Sequence, residues 1–478
     1  MASLRGLGPF HPRPAGAAPA PWREDSAQTF IPLGIGLIAL GVGVLAGISP
    51  KLAIAAALGL GFAALVVANI TVGLCLFKVV SFLDILSNIG GSVGITKLIG
   101  LLLVLSWFAT VSTRESGRDF IDAHPTMTYL LAMFVAWSTF SFIWAESPGA
   151  ALGTSFRYFQ DLLLFLIVFT AVRERRHAMW VAAAFVGGAT IAAVVALIYR
   201  PNPGQYDVAR ATGTIGDPNE LAAVLVAGLI IAGALIVILK RSPALRLAAA
   251  GAMLLCAGGL FVTFSRGGLL ALGFAMLAGI FLAGRWRPQA ITALVLVTFI
   301  GVSYFAVLAP QASRDRVLKA DGGTGRTDIW RVGSRMVSAH PVRGVGSGNF
   351  KISSIHYVLK PGSIKYDYFI DHPKVAHNMY LHVLAELGIV GLALFLSIIG
   401  FAVVSAFRAA KTFASSGDED MDLLTRAIML AVLGMLAADF FLSGQLSKQL
   451  WLLLGLGPAL LAVAKTRAER HRLGTYTS

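Results

Sequence analysis

The sequence predicts an all-α fold: a polytopic transmembrane helix bundle of about 12–14 spans, by the length rule for membrane helices, with one large outer-face loop containing short helices. Three observations predict it. Hydrophobic residues make up 56% of the chain and charged residues only 13%, whereas soluble globular proteins carry about 25% charged residues. The apolar residues fall in runs of roughly 17–25, long enough to cross a bilayer core. Lys and Arg collect in short connections, as cytoplasmic loops do.

Residues 1–29 are rich in Ala, Pro and Arg, and the first apolar run begins only near Phe30. That is later than the apolar stretch of a signal peptide, so the segment is expected to be a cytoplasmic tail. Spans are then expected at 30–48, 97–112, 126–144, 157–172, 179–198, 219–239, 247–264, 268–283, 290–308, 379–406, 424–443 and 446–464. The stretch 52–89 is too long for one helix and holds two spans or a full span followed by a short or tilted one. The basic connections Arg173–His177, Lys240-Arg241 and Arg285–Arg287 orient the later helices with these groups inside. The expected organisation is a tail over 1–29, N-terminal membrane helices over 30–309, an outer loop over 310–378, C-terminal membrane helices over 379–464 and an inner tail over 465–478.

The net charge of +15 is in large part this inside bias. No basic region is interleaved with aromatic stacking residues, so nucleic acid is excluded as a partner and membrane lipids are the expected surroundings. Cys75 and Cys256 lie inside apolar runs, where a thiol behaves as a small hydrophobe. Neither a disulfide framework nor a metal-ligand spacing is present. The outer carboxylates Asp315, Asp321, Asp328, Asp367 and Asp371 show no clustered ligand spacing, so no metal or other cofactor is expected.

The outer face holds residues 199–218, the tight joint at Ser265-Arg266 and the loop 310–378. The loop carries eleven Lys or Arg against five Asp, and four of the nine histidines. Either a long loop tolerates such charge or it faces an anionic ligand. Within it, Ile329, Val332, Met336 and Val337 recur at helical spacing, ahead of Pro341. Arg326 starts that helix, where free N–H groups and the helix dipole favour an anion.

Several residues invite a chemical reading beside a plainer one. Arg266 lies between two apolar runs; a charge at membrane depth points to function, but an interfacial Arg also snorkels to water. Arg210 and Asn219 bracket a Gly-rich turn in which Asp217 and Pro218 read as a helix start. His377 re-enters the membrane after the basic loop and has a pKa range suited to a general base; it also fits a polar interface marker, as does Asn378. Gly344-Val345-Gly346-Ser347-Gly348 follows no strand, so it reads as a structural turn in place of a phosphate cradle. Two guanidiniums together suit a pyrophosphate.

Four stretches give the sequence a family likeness: Thr263-Phe264-Ser265-Arg266-Gly267-Gly268, Gly325-Arg326-Thr327-Asp328-Ile329-Trp330, His340 to Phe350, and His377-Asn378-Met379-Tyr380 running to Leu392. In these motifs and their order the chain resembles the O-antigen ligase and polymerase family of bacterial membrane glycosyltransferases. The resemblance covers about residues 155–405 and takes in the Asn219-Glu220-Leu221-Ala222 helix start. It implies an inverting, metal-independent transferase whose partners are an undecaprenyl-pyrophosphate-linked glycan donor and a lipid- or glycan-linked acceptor. Arg266 and Arg326 would bind the pyrophosphate and stabilise it as the leaving group, and His377 would be the general base, or at least the group that orients the acceptor hydroxyl. Arg210, Asn219 and Asn378 would bind substrate. The site would face the outside of the bacterial inner membrane, and the product would be surface polysaccharide such as lipopolysaccharide. Ligases, chain-extending polymerases and protein O-glycosylating members share these motifs. A small-anion transporter is the rival class, but it calls for polar residues near mid-bilayer, whereas these spans are mostly Ala, Leu, Val and Ile.

Overall fold

The structure, a computed structural model, describes residues 40–41, 43–44, 46–83, 95–113, 120–199, 210–303, 306–307, 326–358 and 374–475. The tail over 1–29, most of the first expected span, and Asp315, Asp321, Asp367 and Asp371 lie outside the described residues. Two compact units divide the chain, Met1–Ala64 and Leu65–Ser478. In the first, the described residues are mainly helical and leave Leu40, Val44 and Ile48 exposed.

The longer helices are α1 (Pro50–Ala68), α2 (Ile70–Ser81), α3 (Ile95–Thr113), α4 (Pro125–Phe140), α5 (Pro148–Ala171), α6 (Arg175–Ile198), α7 (Pro218–Ile238) and α8 (Pro243–Val262). They continue as α9 (Arg266–Leu282), α10 (Arg287–Ser303), α11 (Arg326–Ala339), α12 (Phe350–Val358), α13 (Met379–Ser415), α14 (Glu419–Ala438) and α15 (Lys448–Thr475). Among the described residues there are no strands. Among the described residues, nine helices are long and apolar enough to cross a membrane, and three shorter apolar helices accompany them. The fold is therefore an all-α polytopic bundle. The ambiguous stretch 52–89 contains the 19-residue α1 followed by the 12-residue α2.

Local sequence starts these helices in a recurrent way. Pro stands in the first turn of α4, α5, α7 and α8, where its missing N–H costs nothing and its fixed φ suits the helix. Asp217 caps α7 by accepting from the N–H groups of Asn219 (2.8 Å) and Glu220 (2.9 Å). Thus Asp217 and Pro218 form the helix start that their types predict.

Burial separates core from rim. In α15 and α7, 83% and 78% of the apolar stretch is buried, whereas none is in the span holding α10, so α10 faces outward. Close approach of α9 to α7 depends on Gly268. A Cβ there would lie 2.6 Å from the Ala222 Cβ, and small residues of this kind let membrane helices pack backbone to backbone. This contact sets the start of α9 beside the start of α7.

Helix α13 is broken at Gly388, whose φ of 67° and ψ of −169° lie outside helical space. The break takes backbone groups out of the helical ladder, and they find new partners. Val345 N donates to Ala385 O (3.0 Å), Gly346 N to Glu386 O (2.8 Å), Trp137 Nε1 to Leu387 O (2.9 Å), and Ile389 N to Pro341 O (2.9 Å). A side chain on Gly388 would run into the Val342 carbonyl. Sequence periodicity suggests one unbroken span from 379. The left-handed glycine and the turn wedged against it explain the difference.

Short connections put two ends on the bundle. One gathers the joints 171–175, 238–243, 282–287 and 415–419. The other gathers 140–148, 210–218, 262–266, the start of α13 and 438–448.

Candidate active site

At this second end, Ser265 caps α9, its hydroxyl accepting from Gly268 N (3.2 Å) and donating to Asn219 Oδ1 (2.9 Å). Arg210 donates to the same Asn219 oxygen (2.9 Å) and to Thr263 O (2.9 Å). Asn219 thus joins the 210–217 segment to the starts of α7 and α9. Arg266 follows as the first residue of α9 and is half-buried. Two residues earlier, Phe264 has φ of +46°, a left-handed conformation that is unusual away from glycine.

The other non-glycine residue with positive φ among the described residues is His377, at +48°. Such a conformation costs about 1–3 kcal/mol and persists only where its surroundings impose it. They do so from both sides. Trp330 Nε1 donates to Ala376 O (3.0 Å), and Asn378 caps α13 by accepting from Leu381 N (3.0 Å). Asn378 therefore has a structural task, and it is buried. His377 Nδ1 is buried without a hydrogen-bond partner. Burial pushes the His377 pKa below the usual histidine range, the Arg326 guanidinium pushes it further down, and Asp217 opposes both. Lys374 and His382 add smaller downward effects. His377 is thus within electrostatic range of Arg326 and of the start of α7, and its neutral, proton-accepting form is favoured.

Arg326 is the first residue of α11. That helix buries Ile329, Val332 and Met336 against Val345, Phe350, Ala376 and Ala385, with Val337 half-buried beside them. Four residues beyond Arg326, and so on the same helix face, the Trp330 ring meets the Phe440 ring edge-on at 5.7 Å.

Phe440 also lines an apolar cavity of about 540 Å³ formed with Leu270, Phe274, Tyr380, Leu433, Leu436, Ala437 and Phe441. Leu270 and Phe274 follow Arg266 at four and eight residues, so all three share one face of α9. The α9 face that lines the cavity is thus the one on which Arg266 stands, one turn before Leu270.

Two features had no counterpart in the sequence reading. Asp439, in the turn after α14, is buried with Oδ2 unpartnered and lies within electrostatic range of Glu220. The signal is a lone carboxylate inside the expected span 424–443, where a charge at membrane depth points to function. The second is Glu386. The glycine-rich turn at 344–350 does hold an anion, but the anion is this protein's own carboxylate. Gly348 N donates to Glu386 Oε2 (2.8 Å) and Phe350 N to Glu386 Oε1 (3.0 Å). Among the described residues, no group of three or more His, Cys, Asp or Glu could hold a metal ion.

The fold defines a polytopic α-helical membrane protein with an apolar cavity beside the starts of α9 and α13. Residues 251–396 match the family model described as O-antigen ligase, and this segment contains Arg266, Arg326 and His377. Over this segment the chain is similar to the O-antigen ligase family. No curated protein matches it. One similar solved chain, from a study described as "Structural coordination of polymerization and crosslinking by a peptidoglycan synthase complex", shares 19% identity at a TM-score of 0.38, over 72% of this chain and 97% of the other.

Proposed function

We propose that the protein is an inverting glycosyltransferase of the O-antigen ligase type, acting at the outer face of the bacterial inner membrane. It moves a glycan from an undecaprenyl-pyrophosphate-linked donor to an acceptor hydroxyl. One observation carries the reading: the apolar groove lies along the α9 face that begins with Arg266, and α11, headed by Arg326, bears on its rim through Trp330 and Phe440. A polyprenyl pyrophosphate has the same two-part character, an apolar tail and a dianionic head.

In this reading the tail occupies the groove beside Leu270 and Phe274, and the pyrophosphate rests between the two guanidiniums. Neutral His377 takes the proton from the acceptor hydroxyl. The hydroxyl oxygen bonds to the anomeric carbon from the face opposite the pyrophosphate, and the bond to the pyrophosphate oxygen breaks. That oxygen leaves with the electron pair, and the arginines stabilise its charge as it develops. They supply the positive charge that a divalent metal provides elsewhere, so the reaction proceeds without one.

The test is transfer by purified protein added to membranes of the source bacterium lacking the gene, which contain native donor and acceptor. Restored glycan product, unchanged by EDTA, is expected. Failure to restore product, or its loss on chelation, would overturn the transferase or the metal-free reading respectively.

A further inference from the structure

Inside the first turns of α13 lies a buried polar chain that the reaction just described leaves unused. His382 Nδ1 is 3.0 Å from Ser443 Oγ, and its Nε2 is 3.1 Å from Glu386 Oε1. Both His382 and Glu386 are buried. The Glu386 carboxylate also accepts from Gly348 N and Phe350 N. Surrounded by donors, it is a hydrogen-bond acceptor, so His382 Nε2 carries the proton that faces it. In the neutral ring Nδ1 is then the acceptor, and Ser443 donates to it.

These bonds tie three segments together. Ser443 belongs to the connection after α14, a few residues from the groove wall at Phe440 and Phe441. Glu386 anchors the turn that leads into α12. His382 holds α13 between them, and its backbone N–H donates to Asn378 O (2.9 Å), one residue after His377. His377 itself is held in a left-handed conformation, which needs support from its neighbours.

We propose that Ser443, His382 and Glu386 form a positioning relay that holds His377 in register with the groove wall. Its members touch neither donor nor acceptor. They act by fixing the first turn of α13 against the 439–447 connection on one side and the 344–350 turn on the other. This inference rests on His377 acting as the base, and the experiment below separates the two ideas.

Ser443 gives the gentlest probe, because Ser443→Ala removes one hydrogen bond and little volume. The assay uses the same gene-deleted membranes for transfer, and undecaprenyl pyrophosphate alone as the binding probe. Ser443→Ala is expected to lower kcat about 10-fold, short of the ~100-fold that a misplacement of about 1 Å can cause, with binding of the probe unchanged. Ser443→Thr, which keeps the hydroxyl, should restore most of the rate. His382→Gln, which keeps a donor toward Glu386 and loses the Ser443 acceptor, should resemble Ser443→Ala. The relay is refuted if Ser443→Ala turns over like wild type, or if Ser443→Thr is as impaired as Ser443→Ala. It is also refuted if probe binding and melting temperature fall in step with rate, which marks a purely structural role. If His377→Ala keeps its turnover while Ser443→Ala loses it, the base assignment fails and the coupling of this connection to catalysis remains.

Discussion

The two ends of the bundle handle charge in different ways. At the end with the short basic joints, positive and negative side chains meet at close range. Arg467 lies 2.6 Å from Asp418, Arg285 lies 2.7 Å from Glu419 and Arg426 lies 2.6 Å from Asp422, and Arg175 bridges Asp418 and Asp420. The acidic first turn of α14 serves as the common partner for basic groups from α6, the α9–α10 joint and α15, where its own N-terminal dipole also favours carboxylates. At the other end stand both non-glycine residues with left-handed backbone among those described. There His377 feels Arg326, Lys374 and His382 on one side of the balance and Asp217 on the other. At one end the carboxylates are each matched to a nearby arginine. The other keeps strain and an uneven electrostatic environment, which proteins maintain chiefly where chemistry or binding needs them.

The sharpest way to break this contrast is at His377. His377→Ala should reduce transfer by ~10²–10⁴-fold, the usual worth of general-base assistance, while donor binding survives because proton removal matters little in the bound ground state. Rate and binding measured on the same folded variant check this, and near-normal turnover would remove the histidine from the mechanism. Its lowered pKa gives a second handle. Protonation inactivates a base, so the acid limb of kcat/KM should fall below the ordinary histidine value of about 6.5. Arg326→Gln removes a cation that depresses that pKa, so in a pH–rate profile the limb should move upward; a limb that stays put would detach the two residues.

Arg326→Lys comes next. Charge survives but the forked geometry does not. A loss of about 10- to 100-fold in kcat/KM is expected, matching the ~1.5–3 kcal/mol of a hydrogen bond to a charged group. Gly388→Ala tests the scaffold. The left-handed backbone at the break and the facing Val342 carbonyl should make it destabilising by on the order of 1–3 kcal/mol, read as a lower melting temperature in detergent. The smallest effect belongs to the end with the matched charges. Arg285 and Glu419 are each about half exposed, at 49% and 50% of their side chains, so Glu419→Gln should cost about 0–1 kcal/mol and leave transfer intact. A large loss of transfer there would erase the distinction between the ends.

Much of the architecture was legible because bilayer physics writes it directly. Apolar run lengths gave the helices, and Pro following Ser, Asp or His marked several starts. In α11, Ile329, Val332 and Met336 at helical spacing turned out to be the buried face. Arg266, Arg326 and His377 were singled out by charge at membrane borders together with a family likeness, since spacing alone left each with a plainer reading. Long-range pairing was not legible. Nothing around Glu386 announces that its carboxylate reaches 38 residues back to Gly348, or that His382 meets Ser443 across 61 residues. The missing strand before 344–350 marks that turn as structural, but the carboxylate it encloses comes from a residue 36–38 positions further on. Left-handed φ at Phe264 and His377 was equally hidden, because neither residue type advertises it.

The shortness of α9 has a consequence for the surrounding lipid. Its 17 residues, at about 1.5 Å each, span roughly 26 Å, less than the ~30 Å thickness of a typical hydrocarbon core. A bilayer meets a short span by thinning around it. Thinning beside α9 would bring headgroups down toward the Arg266 guanidinium at the start of the helix. For the proposed donor, hydrophobic mismatch would then be a means of delivery, and lengthening α9 by one apolar turn would close that dip with every side chain left in place.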